Sequence, residues 1–226
     1  MKISLINAGK RFNRDWIFRN IHFEFTAGNS YAITGPNGSG KSTLLQVIGG
    51  AMMMSEGEAK YEVMDLPADR QGRASLPQGG MNRQSTISVD EAYQYISIAA
   101  PYLELIEEMT VTEFLQFHMQ FKDLLAAFTI QEIIAIIGLE KAAHKQIRYY
   151  SSGMKQRVKL AQAIFSDVPV VLLDEPCTNL DAEGIALYHE LIDDYTINRL
   201  VIVSSNDEQE YNFCKERISI TEFKSK

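Results

Sequence analysis

The sequence predicts an α/β protein built on a mostly parallel sheet with helices on both faces. Three observations carry that expectation. Strand-like apolar runs alternate with helical patterns along the 226 residues,. Residues 168–173 and 200–203 are compact apolar runs of the kind that sit in the middle of a parallel sheet,. A glycine-rich segment joins the strand-like run 31–34 to a helical pattern over 42–48,. A chain of this length forms one large domain, or one domain with a subdomain, and 46% apolar residues are enough for a core,.

The elements follow from local pattern. Residues 3–6 and 21–25 read as strands; in the second, Ile21, Phe23 and Phe25 alternate with His22 and Glu24,. Residues 57–63 read as another strand. Residues 65–88, polar and rich in Gly, Pro and Gln, read as loop or a small irregular insertion,. Residues 93–99 are strand-like until Pro101 breaks the run. Thr110 with Glu113 and Thr129 with Glu132 are capping boxes ahead of apolar helical patterns, and Gly138 supplies a C-terminal stop, so 103–150 reads as a helical insert,. Helices are expected over 154–165 and 182–195, with 200–203 as the final core strand.

The run Gly35-Pro36-Asn37-Gly38-Ser39-Gly40-Lys41-Ser42-Thr43 fits the phosphate-binding loop G-x-x-x-x-G-K-[ST] at every fixed position,. Its glycines let backbone N–H groups close around phosphate oxygens. Lys41 is expected to reach the β- and γ-phosphates, Ser42 to offer its hydroxyl to Mg²⁺ and Thr43 to bind phosphate oxygens. The apolar strand 170–173 ends in Asp174 and Glu175. Beside a phosphate loop, Asp174 is placed for Mg²⁺ and Glu175 for polarising an attacking water.

Other functions are disfavoured by composition. A net charge of −7 argues against nucleic acid as the main partner,. The two cysteines, Cys177 and Cys214, lack metal-type spacing and read as reduced thiols of a cytosolic protein,. There is no signal-peptide pattern and no apolar run of the roughly 20 residues that span a bilayer, so work at a membrane requires another chain.

The segment Tyr150-Ser151-Ser152-Gly153-Met154, upstream of the Asp174–Glu175 strand end, resembles the signature of the ATP-binding-cassette (ABC) ATPases, the nucleotide-binding subunits of ABC transporters. The family form is L-S-G-G-Q; here the first glycine and the glutamine are replaced, as in small exporter-type cassettes. The resemblance covers essentially the whole chain. It implies a P-loop NTPase, RecA-like fold: a parallel-sheet nucleotide-binding core with an antiparallel β subdomain (1–102 and 151–226) and an inserted α-helical subdomain (103–150), all one ABC ATPase domain. It implies ATP and Mg²⁺ as cofactors. Gly35, Asn37, Gly38, Ser39, Gly40, Lys41, Ser42 and Thr43 would bind ATP, and Ser42 and Asp174 the metal. Ser151, Ser152, Gly153 and Met154 would meet the γ-phosphate held by a second ATPase subunit. Pro176-Cys177-Thr178-Asn179-Leu180-Asp181 resembles the D-loop, which crosses the dimer interface with Asp181. Phe12 stands where the family keeps an aromatic stacked on adenine, with Trp16 as the competing aromatic.

Two family residues are missing. The glutamine expected after the strand ending at Ala99 is replaced by Ala100 and Pro101, neither able to ligate a metal; Glu104 and Gln94 are the candidate substitutes. The switch histidine is replaced by Asn206, whose amide donates a hydrogen bond but carries no proton charge near neutral pH. His22, His118, His144 and His189 lie elsewhere and read as surface or boundary residues. The resemblance therefore implies slow but real ATP hydrolysis at a dimer interface, driving transport, in the export direction, through an integral membrane subunit. Localisation would be cytoplasmic and peripheral at the inner face of the membrane. A non-transport cassette ATPase acting on nucleic acid or ribosomes, and a regulatory ATP-binding module with very slow turnover, are the alternatives.

Overall fold

The structure is a computed structural model and describes residues 1–64 and 84–224. Strands β1 (Lys2–Phe12) and β2 (Asp15–Thr26) form a long hairpin and, with β4 (Glu56–Met64) and β5 (Gln84–Ile87), an antiparallel sheet in the order β2-β1-β4-β5. The second sheet is entirely parallel: β6 (Ile96–Ala99), β7 (Val170–Asp174), β8 (Leu200–Ser204), β3 (Ser30–Thr34) and β9 (Glu216–Ser219), in that spatial order.

Alternation along the central strands divides the core in two. Val170, Leu172, Leu200, Ile202, Tyr31 and Ile33 face the antiparallel sheet and helix α1 (Lys41–Ile48). Val171, Leu173, Val201, Val203 and Ala32 face α2 (Val111–His118), α3 (Ile130–Ile136), α4 (Ser152–Ile164) and α5 (Ala182–Tyr195). β7 and β8 are buried along their whole length, which is why they read as unbroken apolar runs,.

Both capping boxes of the stretch 103–150 form. The Thr110 hydroxyl accepts from the Glu113 N–H at 3.3 Å while the Glu113 carboxylate accepts from the Thr110 N–H at 2.8 Å, and Thr129 and Glu132 repeat the arrangement at the start of α3. Gly138 takes the left-handed φ of 68° that stops α3,.

Four expectations are corrected. Residues 93–95 belong to a 3-10 turn over Val89–Tyr95, because Ser88 and Glu91 make a further capping box; only Ile96–Ala99 is strand. The irregular stretch 65–88 contains β5, paired with β4; the rest of that stretch, 65–83, lies outside the described residues. β8 is not the last core strand, since the short β9 pairs with β3 at the sheet edge. His118 is no surface residue: it is 9% exposed and lies in a closed polar network. Its Nε2 lies 2.8 Å from the Ser166 hydroxyl, which itself donates to the Gln162 carbonyl at 2.6 Å, and its Nδ1 lies 3.3 Å from the Gln162 amide nitrogen. That pattern uses the neutral ring, with Nε2 donating and Nδ1 accepting.

Burial, with the nearby Lys122 charge adding, pushes the His118 imidazole down to about 4. The unfolded chain takes up this proton near pH 6.5 and the folded chain does not, so the stability that His118 contributes is complete above pH 6.5 and is lost as pH falls toward 4. The loss is roughly 2–3 kcal/mol at pH 4.5. Thermal melts of wild type and His118→Gln across pH 7 to 4.5 should converge as pH falls; parallel curves would show that the ring is protonated within the fold.

Candidate functional site

The C-terminal ends of three adjacent strands converge on one edge of the parallel sheet. In register, Ile33 of β3 lies beside Ser204 of β8, which lies beside Asp174 of β7. The backbone continues this pairing past the strand ends: Ser205 N–H donates to Ile33 at 3.1 Å and Glu175 N–H to Ser204 at 2.9 Å. The glycine loop, the two carboxylates and the segment carrying Asn206 therefore leave the sheet side by side. An edge of this kind is where open α/β sheets bind ligands.

The loop 35–43 wraps back onto the start of α1. Gly40 has φ 104°, and a Cβ there would come 2.2 Å from Ile17 Cγ2; Gly35 has φ 147°, and a Cβ would meet Ile220 Cγ2 at 2.8 Å. Only glycine fits either position. Gly40 precedes α1 with no side-chain cap, and the first turn of α1 holds no acidic residue. The helix N-terminus thus keeps its N–H groups and its partial positive charge for an anion. Lys41 is 5% exposed, and its ammonium donates to the Gly35 and Pro36 carbonyls at 2.9 and 3.3 Å, inside the loop's own curve. Ser42 and Thr43 follow on the first turn.

Asp174 is 2% exposed and its Oδ1 has no hydrogen-bond partner; among the described residues the only other buried side-chain oxygens so placed are those of Ser39 in the loop and Ser204 on β8. A buried carboxylate oxygen without a partner is costly, and a divalent cation satisfies it. Asp174, with the Ser42 hydroxyl, is a donor set of the hard-oxygen type that Mg²⁺ takes. Glu175, next along, sits at φ 43°, a left-handed conformation uncommon for a residue with a side chain,.

Both candidate aromatics carry a cation: the Lys10 ammonium lies 5.2 Å from the Phe12 ring centroid. Trp16 carries the Arg19 and Arg11 guanidiniums over its ring at 4.5 and 5.5 Å. Phe12 pairs with Asp15 at the hairpin end, near the Ile17 that lies against Gly40. Phe12 is 46% exposed.

In the stretch that departs from the family pattern, Ala100 is buried and its carbonyl accepts from Leu103 N–H at 3.2 Å, closing a turn with Pro101 and Tyr102 at its centre. Lys159 of α4 donates to the Ala100 and Pro101 carbonyls at 3.3 and 2.9 Å. The Tyr102 phenol lies beside the Gln46 side chain of α1, and burial together with the Asp174 charge pushes its hydroxyl pKa up, against the Gln46 contact. Of the two candidate substitutes, Gln94 reaches the Tyr93 hydroxyl at 3.4 Å and Glu104 lies within electrostatic reach of Lys159. Tyr102 is the residue of this loop whose side chain feels Asp174, and sequence reasoning passed over it.

The signature residues form a second, separate cleft. Ser151 caps α4, its hydroxyl accepting from Met154 N–H at 3.2 Å. Gly153 lies so close to the D-loop segment that a Cβ would stand 3.0 Å from the Asn179 carbonyl. Ser151, Ser152, Gly153 and Met154 line a cleft of about 470 Å³ with Arg157, Asn179, Leu180 and Asp181; no phosphate-loop residue lines it. Asp181 is exposed and caps α5 by accepting from Gly184 N–H at 2.8 Å. Asn206 is also exposed, immediately after the β8 end. Both cysteines are free thiols, pushed up to about 12 chiefly by burial. No helix among the described residues is long and apolar enough to cross a membrane.

A family model described as "ABC transporter" matches residues 18–178. The chain is 32% identical over 198 residues to the cytochrome c biogenesis ATP-binding export protein CcmA of Agrobacterium fabrum, covering 85% of this chain and 82% of that protein. It is 27% identical to the uncharacterized ABC transporter ATP-binding protein YybJ of Bacillus subtilis, covering 84% and 78%. Among solved structures, the cassette MJ0796, a dimer in a post-hydrolysis state bound to ADP and Pi, superposes with TM-score 0.75 at 23% identity over 96% of this chain and 93% of that one, a likeness of fold. A putative ABC transporter ATP-binding protein from Pyrococcus furiosus has the same TM-score at 18% identity over the full length of both chains. The phosphate loop, the buried carboxylate beside it and these matches agree: the chain belongs to the ABC transporter family, as an ATP-binding subunit.

Proposed function

We propose that two copies of this chain hydrolyse MgATP at their shared interface and that the cycle drives transport by a separate integral membrane subunit. The observation that carries the reading is the separation, on one chain, of the phosphate loop with Asp174 from the signature cleft around Ser151 and Gly153. Each half is incomplete for phosphoryl transfer, and an isologous two-fold arrangement supplies each with the other.

In this reading the loop N–H groups and Lys41 hold the β- and γ-phosphates, and Phe12 stacks on the adenine. Ser42 and Asp174 would hold Mg²⁺, which would supply positive charge against the phosphate oxygens. Glu175 orients and deprotonates the attacking water. Asn206 donates its amide to the γ-phosphate. The partner's Ser151 hydroxyl and the N–H groups around its Gly153 meet the same phosphate from the far side. Asp181 lies at the edge of that contact. Contacts made only while the γ-phosphate is present favour the closed dimer, so its loss opens the interface.

Export is the direction we infer, supported by the word in the CcmA name and by the exporter-like signature. The chain would then sit at the inner face of the membrane, held by its membrane subunit. A second reading, a regulatory module with very slow turnover, is favoured by Ala100, Pro101 and Asn206, which remove two side chains that the family uses around the γ-phosphate and metal. A nucleic-acid partner is disfavoured by the net charge of −7,.

Mg²⁺-dependent phosphate release by the purified chain, beside Glu175→Gln, separates these. A loss of at least 10²-fold in the variant, with ATP still bound, is expected for a general base. Equal rates in the two proteins would favour the regulatory module. Asn206→His should raise turnover several-fold by restoring a protonatable contact; an unchanged rate would remove Asn206 from the switch role.

A further inference from the structure

One peptide unit next to the candidate base is gripped from both edges by buried polar side chains that lie outside the candidate phosphate and metal contacts. The Pro176 carbonyl accepts from the Gln156 amide of α4 at 2.7 Å. The N–H of the same peptide, on Cys177, donates to Glu210 Oε1 at 2.7 Å. Gln156 is 4% exposed and Glu210 is 5% exposed. Glu210 is itself anchored, since its carbonyl accepts from the fully buried Tyr188 hydroxyl at 2.7 Å. Its N–H donates to the carbonyl of Asp207, the residue after Asn206, at 3.1 Å.

For packing alone this is an expensive arrangement. A buried carboxylate is disfavoured in itself: burial raises the Glu210 pKa and the Asp207 and Glu175 charges raise it further, against the Cys177 N–H bond,. What the arrangement achieves is directional. A peptide plane held at its oxygen and at its nitrogen cannot rotate without breaking both bonds. That plane begins one residue after Glu175, whose φ of 43° needs support from its surroundings,.

We propose that Glu210 is a positioning residue for Glu175. With Gln156 opposite, it clamps the Pro176–Cys177 peptide, fixes the direction of the Glu175 side chain, and ties that setting to the segment carrying Asn206. The proposal rests on the reading of Glu175 as the base of an ATPase, and it adds the physical link between the signature helix, the base and the switch segment.

The test compares Glu210→Ala with Glu210→Gln, whose amide oxygen still accepts from Cys177 N–H. At saturating MgATP, Glu210→Ala should lower phosphate release at least tenfold with the ATP dissociation constant within threefold of wild type. Glu210→Gln should keep at least a third of the wild-type rate. In a Glu175→Gln background, Glu210→Ala should cost nothing further, because the group it positions is gone. A Glu210→Ala rate equal to wild type, a loss confined to ATP affinity, or a full further loss in the double variant would overturn the proposal. The clamp has a readout independent of turnover: hydrogen exchange at the Cys177 amide, followed by NMR, should accelerate at least tenfold in Glu210→Ala and stay near wild type in Glu210→Gln. Unchanged exchange in Glu210→Ala sinks the clamp. Wild-type protein that binds no ATP, with the exchange result as expected, sinks the ATPase reading and leaves the clamp standing.

Discussion

The parallel register of β3, β8 and β7 is the constraint on which the site depends. Placing Ile33, Ser204 and Asp174 in one row sends three loops out of the sheet at the same height, and the backbone bonds beyond the strands keep them together. A slip of one residue in β7 would turn Asp174 to the other face and exchange the residues that the strand gives to the two cores. The register is enforced by burial on both sides: Val170 and Leu172 belong to one core, Val171 and Leu173 to the other. Each fully buried aliphatic side chain contributes roughly 1.5–3 kcal/mol, so a slipped strand would lose several such terms at once.

The two ends of this sheet treat polar groups in opposite ways. Just before β8, at the N-terminal end, Arg199 donates to the carbonyls of Ile164, Ser166, Val168 and Tyr195 at 2.5 to 3.2 Å. One guanidinium thereby satisfies carbonyls at the ends of α4 and α5, where the helix dipole favours a cation. Burial lowers its pKa to about 10, which leaves it charged at neutral pH. At the C-terminal end, by contrast, Asp174 Oδ1, Ser39 Oγ and Ser204 Oγ are buried without partners and Glu175 holds an unfavourable φ. Stability is concentrated at one end, and unsatisfied polar capacity, which a ligand can use, at the other.

How much of this was legible in the sequence depends on how local each signal is. The phosphate loop was readable because its glycines answer to local backbone geometry, and α5 because its pattern is helical over Ala182–Tyr195, as expected. The Val89–Tyr95 turn carried its signal too, since Ser88 and Glu91 have capping-box spacing; the aromatic and apolar run after it suggested a strand instead. β9 gave almost none: Glu216 and Arg217 are exposed in a short edge strand, and only pairing with β3 makes it one. His118, Gln156 and Glu210 were opaque for one common reason. Each acquires its meaning from a partner far along the chain, Ser166, Pro176 and Cys177 respectively, and a periodicity reads only neighbours.

The same distant contacts make α4 the element through which the separate parts of the site can act on one another. Its N-terminus carries Ser151 and the candidate phosphate contact of the partner. One and two turns along, Lys155 pairs with Glu107 and Lys159 holds the Ala100 and Pro101 carbonyls, on one face of the helix because the two lysines are four residues apart,. Gln156, turned inward, holds Pro176. A rigid helix of this length cannot shift at its N-terminus without moving all three attachments. The loss of a glutamine at Ala100 and Pro101 therefore removes a candidate metal contact without disconnecting the loop, since the connection runs through backbone carbonyls that any residue provides. The same logic holds after β8: in the proposed site Asn206 would alter what reaches the γ-phosphate, while Glu210, bonded to the Asp207 carbonyl, keeps that segment joined to Cys177. In this chain the departures from the family pattern fall on side chains that would touch ligand, and the contacts that join the loops to one another run through other groups: backbone carbonyls, Lys159, Gln156 and Glu210.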